Sequence, residues 1–181
     1  MLLYLLFVYE IVWSVERRNE MIISSLLFAK EKHEGQTRIG GEPYISHPVE
    51  VAKIIEEKGF TDAKYIITAL FHDLLEDTDA TEQEISYYGG ADVLEAVKLL
   101  TKSKGYKMEI YIRDIKNHPI AKMVKLSDRL HNLLSADVAD KRFRERYVKE
   151  TEEFYVDLAK GTPFEEDITK ALIGLKNTLK N

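Results

Sequence analysis

The stretch His72-Asp73-Leu74-Leu75-Glu76-Asp77 places one imidazole and three carboxylates within six residues. On a helix, His72 and Glu76 are four apart, as are Asp73 and Asp77, so each pair shares a face about 40° apart around the axis. Asp73 and Glu76, three apart, are neighbours too. Carboxylates this concentrated repel one another. A divalent cation relieves that repulsion and takes imidazole nitrogen as a further ligand. A solvated acidic helix end accounts for Glu76, Asp77 and Asp79 by themselves. It accounts less well for an adjacent His-Asp pair just inside the apolar residues 66–71.

A second carboxylate, Asp128, follows the apolar stripe of Val124-Lys125-Leu126-Ser127, with Asn132 four residues on. A buried carboxylate is costly unless paired or bound to metal. A salt bridge to Lys125 or Arg129 is the competing explanation. His47, directly before Pro48, is either turn chemistry at a helix start or a third ligand. The other histidines read as structural. His33 is a helix-end or supporting residue, His118 a loop residue before Pro119, and His131 a hydrogen-bonding residue that could also face the site. Phe154 and Tyr155 serve a base or the core equally well.

The elements that must carry these groups are helical throughout. Ile22, Leu26, Leu27 and Ala29 continue a first helix toward His33, and residues 35–46, with three glycines and a proline, form a loop. The next helix begins near Pro48. Asp62 caps another, which runs through Ile66, Ala69, Leu70 and Leu74. Thr81 and Glu84 form a capping box, and that helix ends at Gly89-Gly90. Further helices cover residues 93–102, 107–117 and 120–134. Residues 141–160 form a long amphipathic segment whose basic start, residues 141–146, reads as a solvated face or a pocket border. A last helix opens at Thr162-Pro163-Phe164-Glu165 with Pro163 in its first position. No β alternation survives beyond four residues, so the expected class is all-α, a compact multi-helix fold.

The chain has 181 residues, 45% hydrophobic and 31% charged, enough for one globular domain. It contains no cysteine, so any metal must be held by His and carboxylate. The net charge of -5 disfavours a nucleic-acid polymer as partner, while a small anion in a locally basic pocket is compatible. Residues 1–13 are almost wholly apolar but shorter than the roughly 20 residues that span a bilayer. They lack the basic lead and cleavage site of a signal peptide. The expectation is a cytoplasmic protein with no membrane partner. Residues 1–20 form an apolar helical extension that packs on the domain or makes a homo-oligomer contact with a second copy. Residues 21–181 form the globular domain that carries these motifs, and a true start near Met21 is the alternative for the extension.

Taken in order, these motifs are similar to those of the HD-domain phosphohydrolases. The matching text is Lys32-His33-Glu34-Gly35-Gln36, then Gly41-Glu42-Pro43-Tyr44-Ile45-Ser46-His47-Pro48, then Phe71-His72-Asp73 through Thr81, then residues 124–132. A weaker match covers residues 150–155. The chain most resembles the hydrolase domain of RelA/SpoT-type alarmone enzymes and the small stand-alone alarmone hydrolases, over residues 22–160. The resemblance implies an HD-domain fold with His47, His72, Asp73 and Asp128 as metal ligands, manganese being the usual ion. It implies that Glu76 and Asp77 position or activate the attacking water. It places Arg38 beside the substrate's phosphates and Asn132 near the nucleotide; Lys125 is a further candidate to neutralise phosphate charge. The implied activity is removal of pyrophosphate from the 3′ position of ppGpp or pppGpp.

Two features depart from that pattern. Ile39 stands where those hydrolases usually carry Lys or another polar residue. Residues 111–125 look like a branch of HD proteins whose substrate is often unassigned. Hydrolysis of another nucleoside phosphate or of NADPH is therefore the alternative, and a nucleotide-binding module without catalysis is a third reading. The two histidines, two aspartates and extra acidic pair count against the last.

Overall fold

The computed structural model describes the backbone of residues 2–180 and the side chains of residues 12–180. Its regular elements are helices: α1 (Leu2–Lys32), α2 (Ser46–Glu57), α3 (Ala63–Phe71), α4 (Leu74–Asp77), α5 (Glu82–Gly89), α6 (Ala91–Leu100), α7 (Met108–Lys116), α8 (Pro119–Leu134), α9 (Lys141–Glu150), α10 (Val156–Ala159) and α11 (Glu165–Thr178). Among the described residues the only β pairing is an isolated bridge between Thr37 and Pro43. The all-α expectation holds.

At the centre lies α8, packed against α2, α3, α6, α7 and α11. Pro119 occupies its first turn, where the missing N–H costs nothing. The His118 ring caps it, Nδ1 accepting from Ala121 N at 3.2 Å. Val124 and Leu126 are fully buried, and Ser127 donates to the Val51 carbonyl at 2.8 Å, which fixes α8 on α2. A helix covered on so many sides must bury its polar residues as well: Lys125, Asp128 and Arg129 are all buried. The cost of burying them is acceptable only where each has a partner.

Several start signals operate as the sequence indicates. Asp62 accepts from Lys64 N at 3.1 Å at the head of α3. Thr81 and Glu84 form the reciprocal capping box of α5. Three expectations need correction. The helix through residues 66–74 does not continue; it stops at Phe71, turns through His72 and Asp73, and restarts as α4. Residues 141–160 are interrupted by a π-helical turn at Thr151–Tyr155. Finally, α11 begins at Glu165, two residues after Pro163; Thr162 Oγ1 accepts from Phe164 N at 3.2 Å, so Pro163 sits in the cap turn.

The π turn answers a burial requirement. It brings Tyr155, wholly buried, to within 3.7 Å of the Arg129 guanidinium, while Tyr147 covers the opposite side at 4.1 Å. Glu150 completes the enclosure of Arg129 at 3.1 Å. Tyr155 is therefore a core residue.

Helix α1 crosses the expected boundary between residues 20 and 21 without a break. Arg18 ties it to the body through the Thr61 carbonyl at 2.8 Å and Glu56 at 3.2 Å. The expected contact of the apolar run at residues 2–8 lies outside the described side chains. Among the described residues no helix is long and apolar enough to cross a membrane.

Candidate metal centre

Three elements deliver the polar groups to one point. His47 enters from the first turn of α2, His72 and Asp73 from the turn between α3 and α4, and Asp128 from the middle of α8. The break after Phe71 is essential to this arrangement. On a continuous helix adjacent residues project about 100° apart and do not face each other. At the turn, Asp73 Oδ2 lies 3.0 Å from His72 Nε2.

His47 Nε2, His72 Nε2 and a carboxylate oxygen of Asp128 lie within 4.8 Å of one another, and all three residues are buried. His47 Nε2 is 3.3 Å from Asp128 Oδ1 and 3.7 Å from Asp73 Oδ2. The two imidazoles approach at 3.2 Å between Nε2 atoms. Two imidazoles and the Asp128 carboxylate, with Asp73 beside them, suit a divalent ion of intermediate softness.

The far sides of His72, His47 and Asp128 are also held. His72 Nδ1 donates to the Ala69 carbonyl at 2.7 Å, which leaves Nε2 free to coordinate. His47 Nδ1 lies 2.7 Å from His131 Nδ1. With the His47 Nε2 lone pair facing the site, His47 donates and His131 accepts. His131 thus takes the hydrogen-bonding role expected of it. Asp128 Oδ2 accepts from Lys125 Nζ at 2.8 Å, and Asn132 Nδ2 donates to Oδ1. The anticipated Lys125–Asp128 salt bridge and the grouping of Asp128 with the histidines coexist, on different oxygens.

The electrostatics follow from burial and pairing. Burial works to lower the pKa of His72, but Asp73 outweighs it and holds the value at about 9. Burial works to raise Asp73, and the His72 charge instead keeps it well below the carboxylate range. Asp128 is likewise depressed, burial being outweighed by Lys125 and the histidines. Burial lowers His47. Burial, then His47 and Arg38, lower His131 to about 4, so its ring stays neutral and can accept. A proton on His72 thus does part of what a bound cation would do, and the two compete for the same nitrogen.

His47, Asp73 and Asp128 line a cavity of about 580 Å³, within the range of small-molecule sites. Arg38 reaches its wall from the loop before α2. There Gly41 N donates to the Arg38 carbonyl at 2.9 Å, and Gly41 sits at φ +89°, which L residues rarely adopt. The Arg38 guanidinium donates to Asn132 Oδ1 and Ser135 Oγ, each at 3.1 Å, so Asn132 links Arg38 to Asp128. Lys125 and Glu76 line the same cavity, Glu76 anchored by Lys102 N at 2.9 Å. Asp77 is outside this lining, its carboxylate 3.3 Å from the Tyr44 hydroxyl. Its pKa is raised by burial, then by Asp73 and Glu76.

Of the nine residues singled out from the sequence, His47, His72 and Asp128 converge with Asp73 beside them, Arg38, Glu76, Lys125 and Asn132 share the cavity lining, and Asp77 joins only through Tyr44. Others there were given no role: Tyr44, whose hydroxyl donates to Asp73 at 2.5 Å, and the stacked pair Phe143 and Tyr147 in the cavity wall. The i,i+4 aromatic spacing on α9 signals a pair, but the strongly basic helix around it points to solvent. Phe154 lies in a neighbouring groove with Met108 and Arg146, not on the cluster.

The chain resembles known proteins over most of its length. A family model for the HD domain matches residues 25–163. The GTP pyrophosphokinase rsh of Brucella melitensis is 36% identical over 167 residues, covering 83% of this chain and 22% of that protein. A guanosine-3′,5′-bis(diphosphate) 3′-pyrophosphohydrolase of Aquifex aeolicus is 43% identical over 140 residues, 73% of this chain and 20% of the relative. The bifunctional (p)ppGpp synthase/hydrolase SpoT of Escherichia coli is 38% identical over 155 residues, 80% and 22% respectively. The chain thus spans about a fifth of the length of the curated relatives it matches. A solved structure described as a metazoan ortholog of SpoT that hydrolyzes ppGpp superposes with a TM-score of 0.75 at 26% identity, covering 88% of this chain and 96% of that one. With its motifs gathered at one centre and its length matched from residue 25 to residue 163, this chain belongs to the HD domain family.

Proposed function

We propose that the chain is a metal-dependent phosphohydrolase that converts ppGpp and water to GDP and pyrophosphate, with manganese as its ion. The observation that carries the reading is the convergence of His47, His72 and Asp128, with Asp73 beside them, beneath a cavity walled by Arg38 and Asn132. The named activities of the Aquifex relative and the metazoan SpoT ortholog support the choice of substrate.

When bound, a divalent ion supplies Lewis-acid polarisation of the phosphoryl group and acidifies the attacking water. The four ligands and their partners hold that chemistry in place. Glu76, its carboxylate fixed by Lys102 N, accepts the proton of the water. Asp77 orients the water. Arg38 and Lys125 bring positive charge to the phosphates, although Lys125 already shares its charge with Asp128. Asn132 holds both Arg38 and Asp128 and presents its amide to the nucleoside side. The water oxygen bonds to the phosphorus attached to the ribose 3′ oxygen and that ester bond breaks; the proton that Glu76 takes from the water balances the one the 3′ oxygen gains, leaving a 3′ hydroxyl and pyrophosphate.

One observation favours a second reading. Ile39, 68% exposed, lines the cavity mouth and offers no phosphate contact. Another nucleoside phosphate or NADPH is the corresponding substrate. A panel of ppGpp, pppGpp, nucleoside phosphates and NADPH with manganese-loaded protein tests both readings. The first expects pyrophosphate from the guanosine tetra- and pentaphosphates. Orthophosphate from NADPH alone would select the second.

A further inference from the structure

We propose that Tyr44 is a positioning residue, whose phenol hydroxyl fixes the metal-facing oxygen of Asp73. This role rests on the proposed metal site and extends it to a residue in the loop before α2. The hydroxyl has one proton and two carboxylates in reach, Asp73 Oδ2 at 2.5 Å and Asp77 Oδ2 at 3.3 Å. The shorter contact takes the proton. The oxygen that receives it is the same one that faces His72 Nε2 at 3.0 Å and His47 Nε2 at 3.7 Å. The phenol therefore acts on the coordinating atom itself.

The ring is also locked in place. It packs on the His33 ring at 4.6 Å and meets the edge of His47 at 5.9 Å. Its backbone N–H donates to the Gln36 carbonyl at 2.9 Å. Gln36 in turn joins His33 Nδ1 at 2.8 Å to the Asp77 carbonyl at 2.8 Å. Through these contacts His33 and Gln36 build the socket that aims Tyr44 at Asp73. The Asp73 carbonyl is held by Asp77 N at 2.9 Å at the head of α4, but its carboxylate leans on Tyr44, where that of Asp128 is held by Lys125 and Asn132, so the phenol clamp has a clear effect. Hydrogen-bonding partners of metal ligands typically change affinity by about 10- to 100-fold.

The test is Tyr44→Phe in the full chain, which keeps the ring packing and removes the donor. Manganese affinity is read by isothermal titration with the metal alone, after circular dichroism has established the fold. The expected result is at least about tenfold weaker binding than wild type. In turnover assays the manganese concentration for half-maximal rate rises in parallel. At saturating metal the substrate KM stays within about twofold, a split that a general loss of structure does not produce. Should the Phe variant fail to fold, Tyr44→Met removes the same donor and answers the same question. A folded variant that binds manganese as wild type does would overturn the role of Tyr44 while leaving the metal centre intact. A wild-type protein that binds no manganese would overturn both.

Discussion

His72 and Asp73 are adjacent in sequence yet are held by different partners. His72 is fixed by the Ala69 carbonyl and Asp73 by Tyr44, so each presents one atom to the cluster. Glu76 lines the same cavity, and its carboxylate is anchored by Lys102 N at 2.9 Å. Asp73→Ala is therefore expected to abolish manganese binding. Glu76→Ala is expected to keep the metal and lose turnover by about 10²- to 10⁴-fold. Elemental analysis beside steady-state assays checks this, and equal metal loss in the two variants would refute the division of roles. The histidines also set a pH dependence for the metal-free protein. His72, at about 9 when folded against 6.5 when free, contributes stability that is complete below pH 6.5 and lost as the pH rises to 9. His131, at about 4, has the opposite sign: its contribution is complete above pH 6.5 and lost as the pH falls toward 4. Metal-free protein should melt highest near pH 6.5. Saturating manganese, by replacing the His72 proton, should flatten the alkaline side. Thermal melts at pH 5, 6.5 and 9, with and without the ion, measure this, and an alkaline side unchanged by manganese would contradict it.

The elements were legible in the sequence where local chemistry decides them. Asp62, the Thr81–Glu84 box and the Gly89-Gly90 stop each satisfy or end a helix with residues close in sequence, and each operates as read. The breaks that tertiary contacts impose were not legible. Nothing in Ile66-Ile67-Thr68-Ala69-Leu70-Phe71 forbids the helix from continuing; it turns where His72 and Asp73 can share a site. The π turn at Thr151–Tyr155 likewise exists because Arg129, on another helix, needs two aromatic faces and Glu150. The site was legible through types and order: all the candidates but Asp77 lie in the cluster or the cavity lining, whereas Tyr44 joins only because a loop folds back between His33 and Asp73. Helix α1 adds an expectation of its own. Arg18 anchors it to Thr61 and Glu56, and the family match begins only at residue 25. We propose that a chain starting at Met21 keeps its turnover per folded molecule. Val12, Trp13 and Val15 are each about half exposed on α1, and such apolar surface marks contacts. If that surface joins two copies, the truncation shifts the mass toward monomer in light scattering. A folded, metal-binding truncation without activity would show instead that the extension belongs to the site.

At the scale of the whole molecule, α8 is the scaffold on which everything else is referenced. It carries Asp128 and Asn132, receives α2 with His47, and packs against α3, which delivers His72 and Asp73. Rigid elements hold ligands more accurately than loops do. Whether this packing builds one divalent site is tested most directly by anomalous diffraction from manganese-loaded crystals. A single strong peak is expected, at bonding distance from His47 Nε2, His72 Nε2, Asp73 and Asp128. A peak held instead by Glu76, Asp77 or Asp79, or no peak in the cluster at saturating manganese, would contradict it.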